Sequence, residues 1–275
     1  VIFTAFNMTD RYAVIGNPIS HSLSPKIHKM FAEQTGQDIF YEAIAAPLDS
    51  FAATIERLRK EGYKGCNVTV PFKFEAFQLA TKLTERALAA KTVNTLKFDG
   101  DTILGDNTDG AGLVRDITRN LVWELQEKPV LLMGAGGASY GVSLPLLANK
   151  VRLSVVNRTV VKARQLAEAF AHKGHITALA YDELQNRQFS VVINATASGL
   201  TGEMPPLPSG IFAPDALAYD MMYGRDTPFM TFARAQGVQV ADGLGMLIEQ
   251  AAEAFYIWRG IWPDTAPVIK ALRLP

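Results

Sequence analysis

Residues 130–139 read VLLMGAGGAS. An apolar run feeds straight into Gly134-Ala135-Gly136-Gly137-Ala138-Ser139, and a helical stretch follows. Strand, glycine turn and helix in that order make the dinucleotide-binding turn of a Rossmann sheet. Gly134 permits the tight turn. Gly136 lets the backbone approach a diphosphate, and the helix start offers free N–H groups to the anion. The third glycine position of the pattern holds Ser139. Glycines alone describe many loops; the strand before them and the helix after them give this run its meaning.

The next predicted strand, 153–156, ends at Asn157-Arg158-Thr159. Sheets that take NAD usually carry Asp or Glu about 20 residues beyond the turn, for the ribose 2′-hydroxyl. No acid stands there in this chain, and Arg158, with Thr159 and Lys162, suits a 2′-phosphate. One charge-assisted hydrogen bond contributes about 1.5–3 kcal/mol, which favours NADP over NAD by roughly 10- to 100-fold. The bland alternative is a solvated helix start with ordinary surface charges. A third strand, 190–194, runs into NATASG at 194–199. Small polar residues at a strand's C-terminal end, Thr196 among them, belong to the ligand side of an open sheet, although loop composition also accounts for them.

Around this unit, short β-type runs alternate with helical patterns, without internal repeats. Strands are expected at 12–16, 39–45, 65–70, 93–98, 130–133, 153–156, 190–194, 217–221 and 238–241. The alternation predicts an α/β fold with mostly parallel sheets. Apolar spacing puts Ile27, Met30 and Phe31 on one face of a helix over 25–35, and Phe51, Ile55 and Leu58 on one face of a helix over 51–60. Ser24-Pro25 predicts a hydroxyl N-cap with proline at the first helical position. Residues 109–121 read as a helix, and a new sheet begins at Val130. One domain is therefore expected over 1–108 and a nucleotide-binding domain over 109–244, with 245–275 returning to the first.

Of the 275 residues, 48% are hydrophobic and 20% charged, an ordinary balance that argues against disorder as the main state. Lys+Arg and Asp+Glu both number 27, so no bulk charge draws a nucleic acid. Cys66 stands alone, which excludes an internal disulfide framework and a multi-cysteine zinc site. His21, His28, His172 and His175 form no metal-ligand motif, so no metal is expected. A reducing cytoplasm is the default compartment. The apolar stretch 244–258 is interrupted by Glu249 and Glu253, and a membrane span needs about 20 mostly apolar residues. VIFTAFNMTD at the start has no basic n-region and reads as a short extension rather than a signal peptide.

Chemistry-bearing residues also lie upstream. Residues 16–28 read GNPISHSLSPKIH, in which Ser22 and Ser24 flank a helix start and make a carboxylate seat; the plainer reading leaves Ser24 as a cap. In NVTVPFK, 67–73, alternation puts Asn67 and Thr69 on one side of a strand, and Lys73 follows the stop at Pro71. Lone lysines are usually solvated. Asp109 in GDNTDG reads as a helix cap, and Asn94 as a strand-end turn residue.

Together these segments resemble the shikimate dehydrogenase family. The matching motifs are GNPISHSLSP, NVTVPFK, LTER, VNTL, GDNTDG, GAGGAS, NRT, NATASG, YDMMY and DGLGMLIEQA, in order from about residue 12 to 270. The resemblance implies NADPH-dependent reduction of 3-dehydroshikimate to shikimate, a step towards chorismate and the aromatic amino acids. It implies an N-terminal α/β substrate domain, completed by the C-terminal helices, and a Rossmann domain, with a deep cleft between. Carried over to this chain, Ser22, Ser24 and Tyr223 hold the carboxylate. Thr69, Asn94, Asp109 and Gln250 bind hydroxyls, with Asn67 nearby, and Lys73 and Asp109 form the catalytic pair. Gly134, Ala135, Gly136, Gly137 and Ala138 hold the diphosphate. Asn157, Arg158, Thr159 and Lys162 hold the 2′-phosphate. Thr196, Met221 and Gly243 lie towards the nicotinamide, and Glu85 at the cleft rim.

This chain has Tyr140 and Lys162 where many relatives have Arg, which softens the expected NADP preference because Lys lacks the planar fork. Two other readings compete: a quinate/shikimate dehydrogenase using NAD, and a non-catalytic metabolite sensor of the same fold. The missing acid after Val156 argues against the first, and the retained Lys73 and Asp109 against the second. The sequence leaves monomer and homodimer open.

Overall fold

The computed structural model describes residues 9–196 and 203–273. Two compact units divide the chain. One takes in the segment up to Leu88, Thr92–Thr108 and the segment from Ala251 on; the other takes in Ala89–Lys91 and Asp109–Gln250. Each carries a six-stranded sheet.

In the first unit β1 (Asp10–Gly16) lies between β2 (Ile39–Ala45) and β3 (Gly65–Val68), parallel to both. Helices α1 (Ser24–Thr35) and α2 (Phe51–Lys60) make the crossovers. After α3 (Lys73–Leu79), β4 (Lys82–Leu83) and α4 (Glu85–Ala90), the sheet turns antiparallel. β5 (Thr95–Asp99) pairs with β3 and forms a hairpin with β6 (Thr102–Asp106), and β4 closes the edge beside β6. Both faces are covered, which is why β1 reads as an unbroken apolar run. Ala13 and Ile15 face Phe51, Ile55 and Leu58 of α2, while Tyr12, Val14 and Tyr41 pack with Ala254 and Trp258.

The second unit is parallel throughout. Its strands are β7 (Pro129–Met133), β8 (Arg152–Val156), β9 (Ile176–Leu179), β10 (Phe189–Asn194), β11 (Phe212–Asp220) and β12 (Gln239–Ala241). They stand in the order β12-β11-β10-β7-β8-β9. Strand order reverses between β7 and β10, and ligands of such sheets bind beyond the strand ends at that point. The helices are α5 (Asp109–Arg115), α6 (Gly137–Ala148), α7 (Val160–Phe170), α8 (Pro228–Ala235) and the first part of α9 (Leu244–Arg259). A final helix, α10 (Ala266–Arg273), lies in the first unit. Helices α5 and α6 touch main chain to main chain: a Cβ on Gly110 would stand 2.5 Å from the Gly141 carbonyl oxygen and 2.6 Å from the Pro145 ring.

Three local expectations need correction. Ser24 is not the cap of α1; Leu23 holds that place without a capping side chain of its own, and Ser24 is already helical. β3 ends at Val68 rather than at residue 70, because the Phe72 N–H turns back to the Thr69 carbonyl at 3.0 Å. Thr69 therefore lies past the strand that carries Asn67. The helix expected over 109–121 is α-helical only to Arg115 and widens into a π-turn over Asp116–Asn120. The buried Asp116 carboxylate accepts from the Tyr219 hydroxyl at 2.7 Å and the Asn120 amide at 2.9 Å. Asn120 also donates to Glu249, and the wider turn serves both bonds. Strands β4, β6 and β9 were not expected; they are two to five residues long and lack a clear period.

Candidate active site

Gly134 follows β7 with φ 107°, a conformation that L side chains rarely adopt. Its N–H donates to the Val156 carbonyl at 2.8 Å, which ties the turn to the end of β8. Gly134 and Ala135 are buried, but Gly136, Gly137 and Ala138 are exposed. Among the described residues no side chain caps α6, and none beyond its chain neighbours has an atom within 4 Å of where a Gly136 side chain would begin. Open space above uncapped N–H groups fits a diphosphate.

At the end of β8, Asn157 folds its amide onto the Thr159 carbonyl at 2.9 Å. Arg158, Thr159 and Lys162 are exposed beside it, with no acid in the first turn of α7. This donor set fits a 2′-phosphate. Further along the sheet, a buried network holds the ends of β10 and β11. The Asp220 carboxylate accepts from the Asn194 amide at 3.0 Å, the Thr227 hydroxyl at 2.6 Å and the Met222 N–H at 2.9 Å. Asn194 in turn accepts from the Thr196 N–H and hydroxyl at 3.1 and 2.7 Å. Gly243 donates to the Met222 carbonyl at 2.9 Å, and the Met221 N–H to the Asn194 carbonyl at 3.0 Å. Thr196, Met221 and Gly243 thus share one frame. Residues 197–199 of the NATASG run lie outside the described residues. Tyr223 is half-buried, and burial pushes its phenol up, so it remains a hydrogen-bond donor. Gln250 is buried and donates to the Leu247 carbonyl at 2.9 Å. Asp109 opens α5 as a buried residue.

In the first unit Asn67 and Asn94 share buried hydrogen bonds, and Ser22 and Ser24 a half-buried one. Ser22 accepts from the Ser24 N–H at 3.3 Å, which leaves the Ser24 hydroxyl uncommitted to the helix end. Tyr41 donates to Asn67 Oδ1 at 2.8 Å, and Asn67 donates to the Asn94 carbonyl and to Thr95 Oγ1 at 3.2 and 3.1 Å. Asn94 Oδ1 accepts from Thr95 and from the Thr108 N–H at 3.0 and 2.8 Å. His28 lies fully buried on Tyr41, ring centroids 4.1 Å apart. Burial depresses its imidazole to about 3, so it is neutral. Thr69 is half-buried and held by the Ile15 carbonyl at 2.9 Å. Lys73 opens α3, half-buried, and its carbonyl accepts from the Val93 N–H at 2.9 Å.

Glu85 is exposed at the start of α4, and its neighbour is the more telling residue. Arg86 grips Asp106 with Nε and Nη2 at 2.7 and 2.8 Å and reaches Glu253 at 2.9 Å. Burial opposes the charge on Arg86, but Asp106 and then Glu253 hold the guanidinium above its usual range. Asp106 also accepts from the Thr84 hydroxyl and the Asn107 N–H at 2.6 and 2.7 Å, which fixes the backbone just before Asp109. Tyr41, His28, Arg86, Asp106 and Asp220 were not singled out from the sequence. Three of them sit inside quoted motifs (LTER, GDNTDG, YDMMY), and that position was the available signal.

Comparison with known proteins gives the same picture over nearly the whole chain. Residues 14–96 match the shikimate dehydrogenase substrate binding domain, 116–201 match shikimate / quinate 5-dehydrogenase, and 243–273 match the shikimate 5′-dehydrogenase C-terminal domain. The shikimate dehydrogenase (NADP(+)) of Methylobacillus flagellatus is 60% identical over 96% of this chain and 99% of its own length. An Ael1 enzyme from Pseudomonas putida has a similar crystal structure, with TM-score 0.93 and 47% identity over 97% of this chain and 99% of that one. Shikimate 5-dehydrogenase from Thermus thermophilus, solved with NADP(H) and shikimate, aligns with TM-score 0.86 and 32% identity over 96% and 98%. The chain belongs to the shikimate dehydrogenase family.

Proposed function

We propose that Lys73 and Asp109 carry the proton chemistry of an NADP-dependent shikimate dehydrogenase, interconverting 3-dehydroshikimate and shikimate. The activity itself rests on one observation, the 60% identity to a shikimate dehydrogenase (NADP(+)) over 96% of this chain and 99% of that one. When bound, the nicotinamide supplies or accepts the hydride. Gly134, Ala135, Gly136, Gly137 and Ala138 would hold its diphosphate. Asn157, Arg158, Thr159 and Lys162 would hold the 2′-phosphate, and Thr196, Met221 and Gly243 the nicotinamide end.

The remaining work falls to side chains. Ser22, Ser24 and Tyr223 donate hydroxyl protons to the substrate carboxylate. Thr69, Asn67, Asn94 and Gln250 fix the ring hydroxyls. In the reducing direction Lys73 gives a proton to the carbonyl oxygen as the new C–H bond forms. In the oxidising direction Lys73 must first lose its proton, and then takes one from the hydroxyl. Asp109 accepts from a substrate hydroxyl. A cytoplasmic setting goes with this reading, since Cys66 is a single buried thiol.

Initial rates with shikimate and with quinate, each with NADP and with NAD, test the proposal. Shikimate with NADP should dominate. Quinate or NAD in the lead would overturn the specificity while leaving the proton chemistry in place.

A further inference from the structure

Helix α5 also meets the first turns of α9 main chain to main chain. A Cβ on Gly112 would stand 2.7 Å from both the Gln250 nitrogen and the Met246 carbonyl oxygen, and 2.8 Å from Gln250 Cβ. Main chain and Cβ cannot yield as the end of a long side chain does, so glycine is required at 112. The Asp116 carboxylate fills the space that a Gly245 side chain would take. All of these residues belong to the second unit.

Polar ties fix the same stretch of α9. Asp116 takes the Tyr219 proton at 2.7 Å, and the Met246 N–H donates to the Tyr219 oxygen. Asn120 sets its amide between two buried carboxylates, 2.9 Å from Asp116 Oδ1 and 2.9 Å from Glu249 Oε1. Arg115 lies 3.5 Å from the other oxygen of Glu249. Gly245, Met246, Glu249 and Gln250 are thus each touched from α5 or from the π-turn that follows it. Gln250 folds its own amide back to the Leu247 carbonyl at 2.9 Å, so the place of the amide follows the place of its main chain. Asp109 stands three residues before Gly112, one turn along the same face of α5.

We infer that Gly112 is a positioning residue, whose missing side chain lets Gln250 sit at the distance from Asp109 that the substrate hydroxyls require. The inference rests on the functional reading above, in which Asp109 and Gln250 each meet a hydroxyl, and adds the residue that spaces them. A misplacement of about 1 Å in a group that positions substrate can cost about 100-fold in rate.

The test is a double-mutant cycle of Gly112→Ala and Gln250→Ala, read as calorimetric Kd values for shikimate and for NADP. Each single change should weaken shikimate about three- to tenfold, the range of one neutral hydrogen bond, and leave the Kd for NADP within about twofold. Made on top of Gln250→Ala, Gly112→Ala should weaken shikimate by less than about twofold, because the residue through which it acts is already gone. Equal weakening on both backgrounds, which a general packing defect gives, overturns the inference. So does a Gly112→Ala enzyme that binds shikimate like wild type. If Gly112→Ala does not fold, Asn120→Ala releases Glu249, next to Gln250, from one tie without adding an atom between the helices. It must show the same dependence on Gln250, and an effect that is absent or independent of Gln250 overturns the inference. A Gln250→Ala enzyme that binds shikimate as tightly as wild type removes the functional reading of Gln250 and this inference together. Weakened binding by Gln250→Ala with an additive cycle removes the inference alone.

Discussion

The two sheets prepare for their ligands by opposite means. In the second unit the groups proposed to meet the cofactor are all exposed: Gly136, Gly137 and Ala138 through their main chain, and Arg158 and Lys162 through their side chains. They carry little of the core. In the first unit a buried set of polar residues is bonded together, from Tyr41 through Asn67 and Thr95 to Asn94 and Thr108. Recognition by exposed charges can be rewritten without touching stability. Recognition by a satisfied internal network shares its hydrogen bonds with the fold, so a change there is felt twice.

The sharpest attempt to break this contrast is Lys73→Ala, since Lys73 belongs to the first unit yet opens a helix as a half-buried side chain. Turnover should fall about 10²- to 10⁴-fold, the usual worth of a general acid, with Michaelis constants within a few-fold and the melting temperature unmoved. A rise in KM alone would make Lys73 a binding residue. Arg86→Ala is the mirror case, without any proposed contact to substrate. Removing one partner from the ion pairs with Asp106 and Glu253 should cost about 3–5 kcal/mol in urea unfolding, and a loss under 1 kcal/mol would show the network to be dispensable. In the second unit Arg158→Gln should cut the preference for NADP over NAD by roughly 10- to 100-fold with unfolding unchanged. Unaltered preference would return Arg158 to the solvated surface.

Acid sensitivity offers a further contrast within the first unit. His28 is held near 3 in the folded chain against 6.5 for a free imidazole, so only the unfolded chain binds its proton between those values. The stabilisation is full above about 6.5 and drains as pH falls towards 3, at up to about 1.4 kcal/mol per pH unit. Urea unfolding from pH 7 to 4 should be shallower for His28→Phe than for wild type. Parallel slopes would mean that the acid lability lies elsewhere.

What was legible in the sequence follows the same divide. The glycine turn at 134–138 and the cations at 158 and 162 act through local chain geometry and exposed charge, which neighbouring residues announce. Tyr41 and His28 act through contacts across strands and onto the ring stack, and no local pattern marks a tyrosine in a strand as anything but core. Ser24 shows the intermediate case: its place beside Pro25 was right for a helix start, but a one-residue shift put the cap position on Leu23. The short strands β4, β6 and β9 escaped because pairing, rather than any residue pattern, makes them strands.

The meeting of Gly110 with Gly141 and Pro145 has a mechanical side. Pro145 has no N–H to return to the Gly141 carbonyl, and it is that carbonyl which the Gly110 main chain approaches. With no side chain at either glycine there is nothing at the joint to flex, so α5 and α6 bear on each other like two stiff rods with no gasket. Asp109 is the residue next to that bearing, and the exposed N–H groups of Gly137 and Ala138 begin the other rod. A methyl group at position 110 would jam the bearing rather than cushion it.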